Sequence, residues 1–375
     1  MPTLCDDLMI NLGRTYHKEG DMKSVIEIYQ QAEKMQNRLT SGRDRSVLTL
    51  NLYMAESFAE SDQRANAVKY IKRAVELGHK LFGNRNLSIK LAEIYAFAGH
   101  VYGLCSLDDE ALSLLNRSLE LLQILLGDKP HPVKVNARMR LGFLFYQKHQ
   151  MSKAVESLEN GLRQARIVYH GKNRLPIADT LAHLGAALRS DGKFKESLAY
   201  FQDAKEVTDD IFGPDYVHPN TSAILSNLAL VCQELGDLKQ AKEYGTKSVD
   251  VDRKLSKTID GCPSVAFRLH TLSEICHAIG EQDEAVKRLE EAKAILQAAS
   301  SKHALLVMIL SELMIRYYLM GSMDKLVTTA ENFPENYIDR LMEILEMLTN
   351  DDGSLMLRFT NYRNFQQLPA LILGK

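Results

Sequence analysis

Eleven histidines and five cysteines are the side chains of this sequence most able to hold a metal or act as nucleophiles. A metal site needs such ligands at short, converging spacings of the HExxH or CxxC kind. His17, His100 and His183 instead stand in separate stretches, His270 and His277 are seven residues apart, and no HExxH occurs. Cys5, Cys105, Cys232, Cys262 and Cys276 form no CxxC pair. A thiol nucleophile needs an electropositive, accessible setting. Cys232 and Cys276 recur in a column otherwise filled by Tyr, Phe and Leu, which is the pattern of buried small hydrophobes. Neither GxxxxGK[ST] nor GxGxxG is present to cradle a phosphate. The neighbouring carboxylates Asp209-Asp210 and Asp351-Asp352 read as solvated charges. No catalysis, metal or cofactor is expected.

Charge and hydropathy narrow the partners. Lys and Arg number 46 against 48 Asp and Glu, a net charge of −2 with no sustained basic stripe, so nucleic acid is not the expected partner. No run approaches the eighteen or so apolar residues of a membrane span, so no membrane insertion is expected. The N-terminal stretch MPTLCDDLMINLGRTY places acids where a signal peptide needs a basic region. Scattered cysteines fit a reducing compartment, and the expected location is the cytoplasm.

The elements that would carry any binding residues come from an internal repeat. LGRTYHKEGDMKSVIEIYQQA (12–32) returns as LGAALRSDGKFKESLAYFQDA (184–204) and as LALVCQELGDLKQAKEYGTKS (228–248). Anchored on one position of the second helix, the repeats align at Val25, Ala67, Ala111, Ala154, Ser197, Ala241, Ala285 and Leu326, with steps of 41 to 44 residues. Twelve residues before each anchor stand Gly13, Ala55, Gly99, Gly142, Gly185, Ala229, Ser273 and Met314. Small residues recurring there imply two helices in close approach. Bulky residues follow three positions later at Tyr16, Phe58, Tyr102, Phe145, Leu188 and Tyr317. Gly20, Gly236, Gly280 and Gly321 end first helices five residues before the anchor in their repeats.

This small–large–small order on paired helices resembles the tetratricopeptide repeat (TPR) family over about residues 8–330. The unit of about 43 residues exceeds the usual 34, so each second helix is expected to run roughly two turns longer. The junctions FGPDYVHPNTSAILSNLA (212–229) and LLGDKPHPVKVNARMRLG (125–142) resemble the long-unit subclass of kinesin light chains, nephrocystin-3 and the repeat sensors of STAND receptors. The resemblance implies an all-α, right-handed TPR superhelix, an α-solenoid of antiparallel hairpins. Residues 1–333 form the array, with seven clear repeats and a degenerate eighth. Residues 334–375 form a C-terminal capping helix (335–349) and a tail that is a second capping helix or mobile.

In such superhelices the first helices line the concave groove. The exposed first-helix positions bring up Arg14, Tyr53, Phe97, Met139, Arg140, Phe143, Tyr146, His183, Arg189 and Asn227 as groove residues. Aromatic anchors beside Arg and Asn donors suit an extended peptide with an apolar side chain and an acidic group. The carboxylate clamp of chaperone-binding TPRs is not matched, since Ile10 and Arg14 of the first repeat are followed by Tyr53. The expected function is a non-catalytic scaffold or adaptor for a protein or peptide. Two alternatives stand beside it: the ligand-sensing segment of a STAND-type receptor, and a regulatory TPR protein like the Rap phosphatases.

Overall fold

The computed structural model describes residues 9–13, 22–39, 45–83, 88–170, 175–214, 217–255, 263–298 and 304–334, with Leu341 and Glu343. Among them, helix is the only regular secondary structure. Residues 9–13 are helical. They precede α1 (Met22–Leu39), α2 (Arg45–Glu60), α3 (Arg64–Phe82), α4 (Ile89–Leu104), α5 (Asp108–Leu126), α6 (Pro132–Gln147), α7 (Met151–Val168), α8 (Leu175–Ser190), α9 (Phe194–Phe212) and α10 (Pro219–Glu234). Then come α11 (Leu238–Leu255), α12 (Pro263–Ile279), α13 (Gln282–Ala298), α14 (Ala304–Leu319) and α15 (Met323–Glu331). The chain divides into two compact units, Met1–Leu235 and Gly236–Lys375. The expected capping helix and tail, 335–375, lie outside the described residues apart from Leu341 and Glu343.

In the first unit α2 pairs with α3, α4 with α5, α6 with α7 and α8 with α9, each hairpin closing on the next. The first helices α2, α4, α6, α8 and α10 also pack on one another in sequence, so they form one continuous face. In the second unit α12 pairs with α13 and α14 with α15. First helices such as α4 and α6 run 16 residues, and second helices such as α3 and α5 run 19. The long unit thus comes from second helices about three residues longer than the first, plus junctions of five or six residues.

The small-residue columns do what their spacing implies. Ala67, Ala111, Ala154, Ser197, Ala241 and Ala285 are completely buried. A Cβ added at Gly99 would lie 2.9 Å from the Ala111 carbonyl oxygen, and one at Gly142 2.5 Å from Leu158 Cγ. Only a residue without a side chain lets those helices close. Ser197 and Ser273 occupy small positions and spend their hydroxyls on the facing carbonyls of Gly185 (2.7 Å) and Ala285 (2.9 Å), so burial leaves no orphaned donor. Leu115, Leu158 and Phe201 fill the space between, each contributing about 1.5–3 kcal/mol by burial.

Three-residue turns close the hairpins by one hydrogen-bond pattern. In α4–α5, Leu107 N–H donates to Tyr102 O and Ser106 N–H to Gly103 O, and the same pair recurs as Gln150→Phe145 and His149→Tyr146. This Schellman arrangement needs its middle residue in the left-handed region. Gly192 and Gly236 supply it, but Asp62, Ser106 and His149 are held there at φ of 55°, 59° and 56°. At the HP junctions His131 and His218 are helix N-caps. Their Nδ1 atoms accept the N–H of Val133 and Asn220 at 3.2 Å, with Pro132 and Pro219 opening the helices.

Candidate functional site

The face built by the first helices of the first unit carries a chain of touching rings. Tyr53 of α2 stacks on Tyr29 of α1 with centroids 6.3 Å apart, and meets Phe97 of α4 edge-on at 6.3 Å. Arg140 of α6 lays its guanidinium over Phe97, 4.7 Å from the ring centre. Beyond it Phe143 contacts His100 of α4 at 6.1 Å, Tyr146 one turn on at 6.4 Å, and His183 of α8 at 5.6 Å. The solenoid register places these residues together. Tyr53, Phe97, Arg140 and His183 share one position of successive first helices and His100 and Phe143 another, so neighbours about 43 residues apart in sequence meet side by side.

The electrostatics are those of a desolvated lane with one fixed cation. Desolvation lowers the Arg140 pKa, with Glu56 and Glu93 pulling the other way, and the guanidinium stays charged. Its Nη1 donates to the Ala96 carbonyl at 3.3 Å, and no described carboxylate stands within ion-pair distance. Burial pushes His100 down to about 3, with Arg140 and His183 adding to the effect. Burial also lowers His183, whose Nδ1 contacts the Asp179 carbonyl at 2.6 Å. Both rings are therefore neutral near pH 7. Asp179 is raised to about 6 by burial and accepts from Asn220 Nδ2 at 2.6 Å.

Six of the ten expected groove residues are brought together. Tyr53, Phe97, Arg140, Phe143 and His183 form the ladder. Tyr146 stacks on it and takes a 3.5 Å contact from Ser190, while Met139 accepts from Thr180 at 3.9 Å through its sulfur. Arg189 and Asn227 lie further along the same columns on α8 and α10. Asn227 turns its amide back onto Ala223 O at 2.9 Å, and the Arg189 Nε is buried without a hydrogen-bond partner. Arg14 lies outside the described residues. Two contributors escape a reading confined to exposed first-helix columns: Tyr29 belongs to a second helix, and Asn220 is the residue after an HP cap. His100 stands in such a column, but reads as a surface histidine until its burial is known.

Among the described residues no group of His, Cys, Asp or Glu could hold a metal ion, and no helix is long and apolar enough to cross a membrane. Cys105, Cys232 and Cys276 are buried free thiols. Desolvation raises Cys105 and Cys276 above the usual thiol value, the opposite of activation. What remains is a helical-repeat array presenting a ring-lined, cation-bearing face.

The chain carries tetratricopeptide repeats: family models of that description match residues 176–254 and 8–39. Photosystem I assembly protein Ycf3 from Rippkaea orientalis is 28% identical over 117 residues, 31% of this chain and 57% of that protein. The chain therefore spans little more than half the length of this curated relative. A Rap protein solved in complex with Competence and Sporulation Factor is similar in fold, with TM-score 0.54 and 13% identity, covering 83% of this chain and 80% of that one. A putative kinesin light chain from Podosopora anserina, with nearly identical TPR-like repeats, matches 56% of this chain and 96% of its own at 21% identity and TM-score 0.45. The fold is that of a tetratricopeptide-repeat solenoid.

Proposed function

We propose that the chain is a non-catalytic adaptor whose first-unit face grips an extended peptide carrying an apolar side chain next to a carboxylate. The observation that carries this reading is Arg140. A desolvated guanidinium without a carboxylate partner is costly unless something supplies the anion. Phe97 and Tyr53 beside it offer aromatic surface for an apolar side chain, and neutral His100 and His183 can exchange hydrogen bonds with a peptide backbone. The buried free thiols are in keeping with a reducing compartment such as the cytoplasm.

The test uses a labelled Gly/Ser peptide with a central Leu-Glu-Leu-Glu stretch. Arg140→Glu is expected to weaken its binding about tenfold or more, the scale of one charge-assisted contact turned repulsive, with helical content unchanged. Equal affinity for wild type and variant would sink the assignment.

A further inference from the structure

The second unit presents a first-helix face of the opposite character. His270 Nε2 on α12 lies 2.8 Å from Glu312 Oε2 on α14, so these two helices stand side by side there. One turn before that bridge each helix projects a large apolar side chain into solvent, Phe267 at 42% exposure and Met308 at 44%. One turn after His270 comes Glu274, whose carboxylate lies 4.0 Å from His270 Nδ1. Desolvation raises the Glu274 pKa and the charge of Glu312 adds to it, while His270 and Arg316 pull it down.

Arg316 completes the cluster. It is only 6% exposed, bonds Glu312 through Nη2, and leaves Nε and Nη1 without hydrogen-bond partners. The column it occupies is filled elsewhere by buried Leu144, Ala187, Val231 and Ile275.

We propose that the α12–α14 face of the second unit is a docking site for a protein segment that sets an apolar side chain beside a lysine or arginine. The apolar residue covers Phe267 and Met308. The cation meets Glu274, which lacks a close partner of its own. Arg316 itself stays inside, where it holds Glu312 and leaves Glu274 as the acid of the face. The first-unit face selects an acid, so the two faces of one chain select partners of opposite charge. This assignment does not depend on the reading of the first unit.

The sequence contains no tryptophan, so Phe267→Trp places a lone fluorophore in the site of the full chain. The probes are two Gly/Ser peptides, one with a central Leu-Lys-Leu-Lys and one with Leu-Glu-Leu-Glu. The lysine peptide is expected to move the emission of the introduced indole to shorter wavelength with saturation, and the glutamate peptide to leave it unchanged. Adding Glu274→Lys is expected to weaken the lysine peptide about tenfold. Adding Arg140→Glu, in the other unit, is expected to leave it unaltered. An emission that ignores the lysine peptide, an equal response to both peptides, or a Glu274→Lys variant that binds as before would each overturn the proposal. A shift that follows protein concentration without peptide would overturn it in favour of a second copy of the chain.

Discussion

The guanidinium of Arg140 lies 4.7 Å from the centre of the Phe97 ring and donates to the carbonyl of Ala96, the residue just before it. One turn of α4 therefore holds Arg140 by a ring face and a backbone oxygen, with no carboxylate. Neither contact neutralises the charge, so the side chain is aimed while its charge stays free for a ligand. An arginine fixed by an acid would instead use up the charge in being fixed.

Phe97 should accordingly matter for binding more than for folding. Phe97→Leu keeps most of the apolar volume and removes the π face, which is worth about 0.5–2 kcal/mol to a cation. Affinity for the Leu-Glu peptide is expected to fall several-fold in fluorescence anisotropy, with stability changed by less than about 1.5 kcal/mol. Unchanged affinity would mean that the ring does not position the guanidinium.

Two glycines of α4 should respond oppositely to the same change. At Gly99 a new Cβ meets backbone, the Ala111 oxygen at 2.9 Å, which cannot swing aside. At Gly103 the nearest atom is Leu144 Cδ1 at 3.4 Å. Gly99→Ala is expected to cost about 1–3 kcal/mol by forcing α4 and α5 apart. Gly103→Ala is expected to be neutral or to stabilise by up to about 1 kcal/mol through lower chain entropy in the unfolded state. Urea unfolding of the two variants checks both signs.

Those glycines also show how much the sequence reveals. Close approach is a steric demand, so Gly99, Gly142 and Gly185 register as a column, and hairpins, repeat length and the first-helix face follow. The face residues are legible as positions, because Tyr53, Phe97, Arg140 and His183 share one place in the frame. Their energetics are not legible. The burial that neutralises His100 and raises Asp179 depends on helices packing from both sides, and the lack of an ion pair at Arg140 depends on where Glu56 and Glu93 come to rest. Tyr29 escapes notice because a second helix reaches over to the face. The HP motif marks a junction in sequence, yet its role as a cap appears only when Nδ1 is seen to meet an N–H.

His100 should leave a mark on acid stability. Its folded pKa of about 3 lies below the unfolded value of about 6.5, so its contribution is complete above about pH 6.5 and is lost progressively as pH falls toward 3. The unfolded chain binds the extra proton throughout that window, at up to about 1.4 kcal/mol per pH unit. Asp179, raised to about 6 against about 3.9 unfolded, acts in the opposite sense and loses stability as pH rises from about 4 through 6. The two partly cancel in the wild type. His100→Gln is expected to remove the acid loss, so its stability at pH 5 relative to pH 7 should exceed the wild-type difference by about 1–2 kcal/mol. Parallel urea midpoints for wild type and variant at the two pH values would show that the ring is not buried neutral.

The hairpin turns hold unused stability. Ser106 and His149 sit at φ of 59° and 56°, in the middle position that Gly192 and Gly236 fill in sister repeats. A side chain there crowds the following carbonyl, at roughly 1–2 kcal/mol against glycine, and glycine gives back part of that in unfolded-chain entropy. Neither residue has a side-chain role in closing its turn, since the closing bonds run from backbone N–H to backbone carbonyl. Ser106→Gly and His149→Gly are each expected to stabilise by about 0.5–1 kcal/mol. The two turns are neighbours joined by the Lys148–Asp108 ion pair at 3.4 Å, so the departure of the double variant from the sum measures their coupling. A fall in melting temperature for either would mean that the side chain makes a compensating contact in the native turn.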